Sequence, residues 1–531
     1  VGESKIPLNE WTRIAVTFDG RYIRTYVNGE QTGRYARSGR MDVTDEPLVV
    51  GNCTNIDDAG FPGHIDELKI WQQVRYETET GAAPREDTAE PRVVDATHQL
   101  FIDDALVALN DNLTRVVNQP RRDPRNPVMT YEHPWEGNCV ITWGSVLYDA
   151  EEELFKVWYE AYKKFPEHDD PTLLCYATSK DGIYWDKPAL GIVDYLGSTE
   201  NNIVFWPKGT TIDAPTVLAV PNPTADLKYR MYFHSHNPTG IHTATSADGI
   251  HWDFAEGLVV EAGDRSSARY DAGRRKYQVF TRIPGRGQRT VGLWESDDGV
   301  NFEHVGELLA ADDEDPEETE LYGMIAFEYE GLRLGFLEPF FIPTRTLNTQ
   351  LAYSRDGIEW RRACDRQTFL ELGPPGSWDQ CWVTPSQNPP IRVGDTLYIF
   401  YQGRSTLHWA EPPYGHIGSV GLAYLRPDGF VSLDAIWEEG AVTTCPLLLK
   451  GGTLHVNASA RPGYVKAEVT SLDGTPLDSF TQDDCVPLEN TDTLGHVFAW
   501  KNGKTLDGLG DTPVRLRFYL RGAKLFSFWV E

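Results

Sequence analysis

The chain has 531 residues, 40% hydrophobic and 12% aromatic, with 49 basic against 79 acidic side chains and a formal charge of −30. That balance excludes nucleic acid and anionic membrane surfaces as partners, because both are bound through basic patches. No run of about 18 apolar residues is present to span a membrane. Val, Tyr, Phe and Trp alternate throughout and long helical periodicity is nearly absent, so the class is all-β, and the length suits about three domains.

Residues 1–75 read as short strands with Asp-Gly and Asn-Gly hairpin turns. The phrases carried by Trp11, Asn28-Gly29, Gly51 and Gly63-His64-Ile65-Asp66-Glu67 resemble the second half of a laminin-G/concanavalin-like jelly-roll module. The resemblance implies a partial module that leans on another domain. Residues 76–95 are polar and carry Pro84 and Pro91, which reads as a linker. The seven cysteines are scattered with no C-x-x-C pair, so they form neither a disulfide framework nor a cysteine zinc site.

Residues 96–440 repeat a phrase: T-S-K-D-G-I-Y-W at 178–185, T-S-A-D-G-I-H-W at 245–252, E-S-D-D-G-V-N-F at 295–302 and Y-S-R-D-G-I-E-W at 353–360. A worn fifth copy, L-R-P-D-G-F-V-S-L, stands at 425–433. Measured from Asp181, Asp248, Asp298, Asp356 and Asp428, the intervals are 67, 50, 58 and 72 residues. An apolar run precedes each copy, Asp-Gly supplies a turn with φ > 0, and an aromatic opens the next strand. With two further strands per unit, this predicts a five-bladed β-propeller. Gln99-Leu100 is a candidate strand to close the ring, which would leave Asp103 and Asp104 far from the axis. Residues 441–531 predict a C-terminal β-sandwich, with alternating strands and Gly-Gly and Asp-Gly turns.

Registering the units on this phrase aligns the ends of their second strands. The ring reads Glu160, His234, Arg282, Glu338 and Gln402, long hydrogen-bonding groups expected to line a funnel. A merely stabilising polar rim is the competing reading. Acidic groups also recur where innermost strands open, at Glu136, Asp213, Asp264, Glu318, Glu320 and Asp379. Carboxylates facing each other beside Trp and Tyr suit glycosidic bond cleavage, one as acid and the other as nucleophile or base. The expected catalytic carboxylates are Glu338 and Glu160, with Glu320 as a further acid and Asp213 as the base or pKa-modulating residue. Substrate binding is expected from His234, Arg282, Gln402, Arg404, Trp143, Asp379, Trp382 and Tyr322. Glu338→Gln and Glu160→Gln are each expected to abolish turnover and leave the melting temperature almost unchanged. No motif calls for a metal or cofactor. An axial ion such as Ca²⁺, which takes oxygen ligands, is compatible with the funnel.

The repeats, the blade count and the trailing sandwich resemble the five-bladed glycoside hydrolases of the fructosidase and arabinanase-like group. The resemblance covers roughly 96–531 and includes Gly376-Ser377-Trp378-Asp379 and Arg426-Pro427-Asp428-Gly429-Phe430-Val431. It implies a glycoside hydrolase, exo-acting on a plant or algal polysaccharide fragment, secreted or periplasmic in a bacterium. The chain opens on Val1 with no signal peptide, so its true start is expected upstream. The fructosidase signatures W-M-N-D-P-N-G, R-D-P and E-C are read as absent, so that family's catalytic triad is not carried over. A phosphorylase or lyase-type enzyme using the Arg residues on an anion is one alternative; a non-catalytic carbohydrate-binding protein is another. A sialidase fits less well, because the spacing here, S-x-D-G-x-x-W, is one residue shorter than the sialidase box. The oligomeric state is left open.

Overall fold

The computed structural model of the protein describes the strands Ile14–Phe18, Tyr22–Val27 and Glu30–Ala36, and residues 90–531 apart from 163–171, 207–210, 284–286 and 411–416. The chain divides into two compact units, Val1–Arg85 and Glu86–Glu531. In the first, the three strands form one antiparallel sheet in sequence order, and Val27 pairs with Glu30 across Asn28-Gly29. The other expected jelly-roll positions, Trp11, Gly51 and Gly63 to Glu67, lie outside the described residues.

The second unit is all-β and propeller-like. Three four-stranded antiparallel meanders follow one another. The first runs Val140–Asp149, Leu154–Ala161, Leu173–Ser179, Ile203–Phe205; the second Asp213–Ala219, Tyr229–His236, Thr239–Ser246, Asp253–Phe254; the third Ser266–Asp271, Lys276–Thr281, Val291–Ser296, Glu303–Leu309. Two further meanders, built on Thr319–Tyr329 with Leu332–Phe341 and on Trp382–Pro385 with Thr396–Arg404, merge into one sheet through a parallel bridge from Leu347 to Trp382. Innermost strands touch in rotation. The Val217 amide donates to Ser145 Oγ (2.9 Å), the Ser267 hydroxyl donates to the Met324 carbonyl (2.6 Å), and the Gln387 amide returns to the Gly144 carbonyl (3.0 Å).

The repeated phrase is a closed hydrogen-bonded turn. In its first copy, Ser179 Oγ accepts from the Gly182 amide (2.9 Å), and Asp181 Oδ1 accepts from the amides of Ile183 (2.8 Å) and Tyr184 (3.0 Å). The same bonds recur at Ser246/Asp248, Ser296/Asp298 and Ser354/Asp356. Glycine is required for two reasons. Its φ is +75 to +83° in all four copies, and the first three copies also have no space for a side chain. A Cβ on Gly249 would stand 2.6 Å from the Trp158 ring, one on Gly299 2.7 Å from the Tyr232 hydroxyl, and one on Gly182 2.8 Å from the Phe400 ring. Each of these turns therefore docks on an aromatic from the second strand of the preceding meander, and the first docks on the last.

The ends of the second unit interlock. One sheet is ordered Asp492–Val497, Leu454–Ser459, Ala523–Val530, Val431–Ala435, Thr114–Val117; another is ordered Leu488–Glu489, Tyr464–Thr470, Arg515–Arg521, Gly440–Thr444, Val107–Asp111. They share a core that includes Val456, Leu525 and Phe528 from one and Val465, Phe518 and Leu520 from the other. The expected closing strand is corrected here. Gln99–Leu100 pairs with Ala523–Val530, and the last meander is completed instead by Arg121–Arg122, paired with Tyr424 and Ala423. The reason lies in the side chains: Phe101 enters the core of the paired sheets, while Leu100 and Ile102 enter a core under the fourth and fifth meanders. A segment buried on both faces cannot serve as a blade edge. The expected span 96–440 thus loses residues 99–117, and also Val431–Ala435, to the paired sheets. Asp103 pairs with Arg355 (2.7 Å) and Asp104 with Arg115 (2.5 Å).

Asp428, in the worn fifth copy, has a different task. It is buried and accepts from Tyr329 Oη (2.9 Å), Asn457 Nδ2 (3.1 Å) and Ser527 Oγ (2.5 Å), and pairs with His98 Nδ1 (2.7 Å). Burial disfavours the charged imidazole of His98, but the hydrogen bond and charge of Asp428 prevail and raise its pKa above the ordinary value. A raised folded-state pKa gives stability that is full below the unfolded value and lost as pH rises through the folded one. The melting temperature should therefore fall as pH rises above about 6.5, and His98→Gln should remove that part of the slope in thermal scans across pH. In the turns, Gly249→Ala should destabilise by about 2 kcal/mol or more, combining left-handed strain with overpacking, as read by denaturant unfolding.

Candidate active site

The turn phrase sets the register of the second strands. Ser179 pairs with Phe155, Ser246 with Tyr229, Ser296 with Tyr277 and Ser354 with Arg333. Counting five residues on from each partner gives Glu160, His234, Arg282 and Glu338, so these four occupy equivalent positions. Gln402 lies at the corresponding end of the fifth meander, opposite Thr384. β-Bulges interrupt the ladders beside three of them, between Trp158 and Glu160, Asp213 and Thr216, and Leu321 and Gly323. Bulges re-aim side chains at such positions, and Ala214 in the second one holds φ +52°.

Around these ends stands an aromatic cluster of Trp143, Tyr322, Phe340 and Trp382. The Trp143 ring centroid is 6.0 Å from that of Trp382 and 6.2 Å from that of Tyr322. Four guanidinium groups lie over these rings: Arg404 over Trp382 (4.3 Å) and Trp143 (4.8 Å), Arg265 over Trp143 (5.2 Å), and Arg282 (4.4 Å) and Arg289 (5.3 Å) over Tyr322. Cations over aromatic faces are attracted by the ring quadrupole. His408 accompanies them, 3.1 Å from the Tyr322 hydroxyl; burial and then Arg404, Arg289 and Arg282 push its pKa down to about 3, so it is neutral.

The expected carboxylates are in four different states. Glu160 is fully buried; Oε1 accepts the Ala214 amide (2.6 Å) and Oε2 has no hydrogen-bond partner among the described residues. Burial, then the charge of Asp213, pushes its pKa well above the usual carboxylate range. Asp213 is itself buried, which opposes its charge, yet His234, His236 and the Thr211 hydroxyl hold its pKa below that range. Glu338 is fully buried and held at both oxygens by Arg265 (Nε to Oε2, 2.8 Å). Glu320 is paired with Arg289.

The binding residues also divide. His234 is buried, and neither ring nitrogen makes a hydrogen bond. Arg404 Nε and Gln402 Oε1 are likewise buried without partners, although Gln402 Nε2 donates to Thr384 Oγ1 (2.6 Å). Arg282 pairs with Asp264 (2.6 Å). With Glu320, Arg289 and Thr239 it lines an open pocket of about 540 Å³. Asp379 is placed elsewhere: it holds Ser377 Oγ (2.8 Å), Tyr401 Oη (3.2 Å) and Arg122 of the closing strand (3.3 Å). One signature read as absent is corrected here: Arg122-Asp123-Pro124 spells R-D-P, with Asp123 held by Arg125 and Tyr424.

Sequence reasoning missed Arg265, Arg289, His236 and His408. His236 had a signal, since a strand places residues two apart on the same face. The others are recruited from loops and strand starts, with no pattern in the chain to mark them. Among the described residues, two groups of His, Cys, Asp or Glu are close enough to share an ion: Asp213 with His234 and His236, and His98 with Glu330 and Asp428. Two imidazoles and one carboxylate do not suit Ca²⁺, which prefers a shell of six to eight oxygens.

Residues 1–80 match the concanavalin A-like lectin/glucanase superfamily. Among curated proteins, no sequence matches the chain. Among solved structures, the chain is similar to a fructofuranosidase from Schwanniomyces occidentalis, with 12% identity, TM-score 0.42 and coverage of 78% of this chain and 98% of that one. It is also similar to a β-1,2-mannobiose phosphorylase from Listeria innocua, with 15% identity, TM-score 0.41 and coverage of 58% and 97%. A third is an N-acetylgalactosamine deacetylase from F. plautii, with 16% identity, TM-score 0.40 and coverage of 64% and 96%.

The Arg265–Glu338 pair overturns one expectation from the sequence. A carboxylate so enclosed cannot be altered without a stability effect, so Glu338→Gln should lower the melting temperature. Arg265→Met should cost about 3–5 kcal/mol, because it leaves Glu338 buried without its cation. Adding Glu338→Leu should recover much of that loss, which a double-mutant cycle in urea measures.

Proposed function

We propose that the five meanders are the blades of a five-bladed β-propeller closed by Arg121–Arg122, that the paired sheets form a sandwich beside it, and that the protein is a glycoside hydrolase. The observation that carries this reading is Glu160, a fully buried carboxyl group with one oxygen free of partners among the described residues. It is surrounded by the charge of Asp213, Arg404 and Arg265. Glycosidic cleavage needs a proton on the leaving oxygen and a separate ionised group for the opposite face. Groups whose environments drive their pKa values apart meet that need. In this reading Glu160 is the acid and Asp213 belongs to the opposing side, while Glu338 positions Arg265. Trp143, Tyr322 and Trp382 give flat apolar faces suited to sugar C–H groups, and the reading takes an exo mode on a plant or algal oligosaccharide as its substrate class.

Glu160→Gln keeps an acceptor for the Ala214 amide. It should reduce turnover by about 10²–10⁴-fold with little change in melting temperature. Because Glu160 must carry its proton, wild-type activity should fall as pH rises through its elevated pKa. That alkaline limb should disappear from the residual activity of the variant. Sugar release from a panel of plant and algal oligosaccharides measures both, and unchanged activity in the variant would remove Glu160 from the role.

A phosphorylase is the second reading. It is favoured by guanidinium atoms left without partners, Arg404 Nε, Arg265 Nη1 and Arg282 Nη2. They could hold a phosphate oxygen. Turnover that requires added phosphate and yields a sugar phosphate selects it over hydrolysis.

A further inference from the structure

We infer that Asp213, His234 and His236 form a binding site for a first-row transition-metal dication of the Zn²⁺ or Co²⁺ type. His234 and His236 stand two apart on the strand Tyr229–His236 and so share a face. Asp213 is the ladder partner of His234 on the neighbouring strand. Asp213 Oδ2 is 3.7 Å from His234 Nδ1 and 3.3 Å from His236 Nε2, and the three donor atoms all lie within 4.8 Å of one another. Donors bound to one tetrahedral Zn²⁺ at about 2.0–2.1 Å stand roughly 3.3–3.4 Å apart. The triangle is therefore near the size that such an ion demands.

A second observation points to a ligand. His234 is 1% exposed, yet both its ring nitrogens lack a hydrogen-bond partner, and the approach to Asp213 is too long to be one. Buried polar groups are almost always satisfied, and an imidazole facing a carboxylate and a second imidazole is satisfied by a cation. The other cluster, His98–Glu330–Asp428, shows the contrast. There His98 Nδ1 is bonded to Asp428, and the remaining carboxylate valences go to Tyr329, Asn457, Ser527 and the His98 amide. It is a structural network that needs no ion.

The donor set selects the metal class. Imidazole suits Zn, Cu, Fe and Ni, whereas Ca²⁺ and Mg²⁺ prefer oxygen alone. Three protein ligands also match the catalytic pattern, in which further positions remain for water or substrate. Access exists from one side. His236 is 57% exposed and pairs with Thr239, which lines the open pocket. Ala214, the residue after Asp213, donates its amide to Glu160, so the site adjoins Glu160; as a metal ligand Asp213 takes a role other than the ionised group of the proposed function, and the two are tested apart.

The test uses the whole chain without substrate. The protein is stripped with chelator, loaded with Co²⁺ and desalted, then read by elemental analysis and visible absorption. The expected result is one Co²⁺ per chain with the ligand-field bands of a four- or five-coordinate site, displaced by Zn²⁺. His236→Ala is exposed enough to fold, which its melting curve checks. It should weaken Co²⁺ binding by roughly 100-fold or more, since even changes outside the ligand set cost 10–100-fold. His234→Gln should do the same, and His251→Gln, an exposed control beside Asp248, should not. No retained Co²⁺ in the wild type, or equal retention in folded His236→Ala, overturns the site. Because the readout needs no sugar, metal binding without sugar release sinks only the glycosidase reading. Full sugar release by chelator-treated, metal-free protein sinks a catalytic use of this site.

Discussion

The docking of a Ser–Asp-Gly turn on the aromatic of the preceding meander is the contact on which the second unit depends. It fixes three things at once. The Ser and Asp side chains close the turn, glycine removes the Cβ that would strike the ring, and the ring of one sheet is thereby held against the turn of the next. Gly182 meets Phe400 of the fifth meander as Gly249 meets Trp158 of the first, so one local rule joins successive meanders and also ties the first to the last. The same turns set the register of the second strands, so the placement of Glu160, His234, Arg282 and Glu338 depends on these distant corners.

Much of this was legible in the sequence, for a physical reason. The turn phrase is hydrogen-bonded within itself, so its letters are fixed by local geometry and can be recognised without partners. Because strand pairing follows from the turn, counting residues from the phrase located Glu160, His234, Arg282 and Glu338 at equivalent ladder positions. The N-terminal segment was not legible in this way. Gln99-Leu100-Phe101-Ile102 is a short apolar run, and nothing local distinguishes a strand that completes a blade from one buried between two cores. Its destination is set by Ala523–Val530, more than 400 residues away.

The site shows the same division. Positions were readable and charge states were not. Glu338 looks like a free acid in the sequence, but Arg265, 73 residues earlier, encloses it. Glu160 differs from it by environment alone: the nearest donor is a backbone amide. Asp379 follows the strand-start pattern as well as Asp213 does, yet it is taken up by Arg122 and Tyr401. Carboxylate function here is decided by long-range partners, which no spacing rule encodes.

The paired sheets draw strands from both ends of the second unit, and this has a consequence for biosynthesis. Residues 99–117 emerge from the ribosome before any of the meanders, but the strands they join, Val431–Ala435, Gly440–Thr444 and Ala523–Val530, emerge after all five. The early segment must wait through the translation of some 300 residues with its apolar side chains unmatched. Arg121–Arg122 waits likewise for Gly418–Leu425. Contacts of such sequence separation carry a large loop-closure cost and form slowly. Folding of the second unit is therefore completed only once Ala523–Val530 has been made, and until then the meanders stand without the pairings of the two sheets.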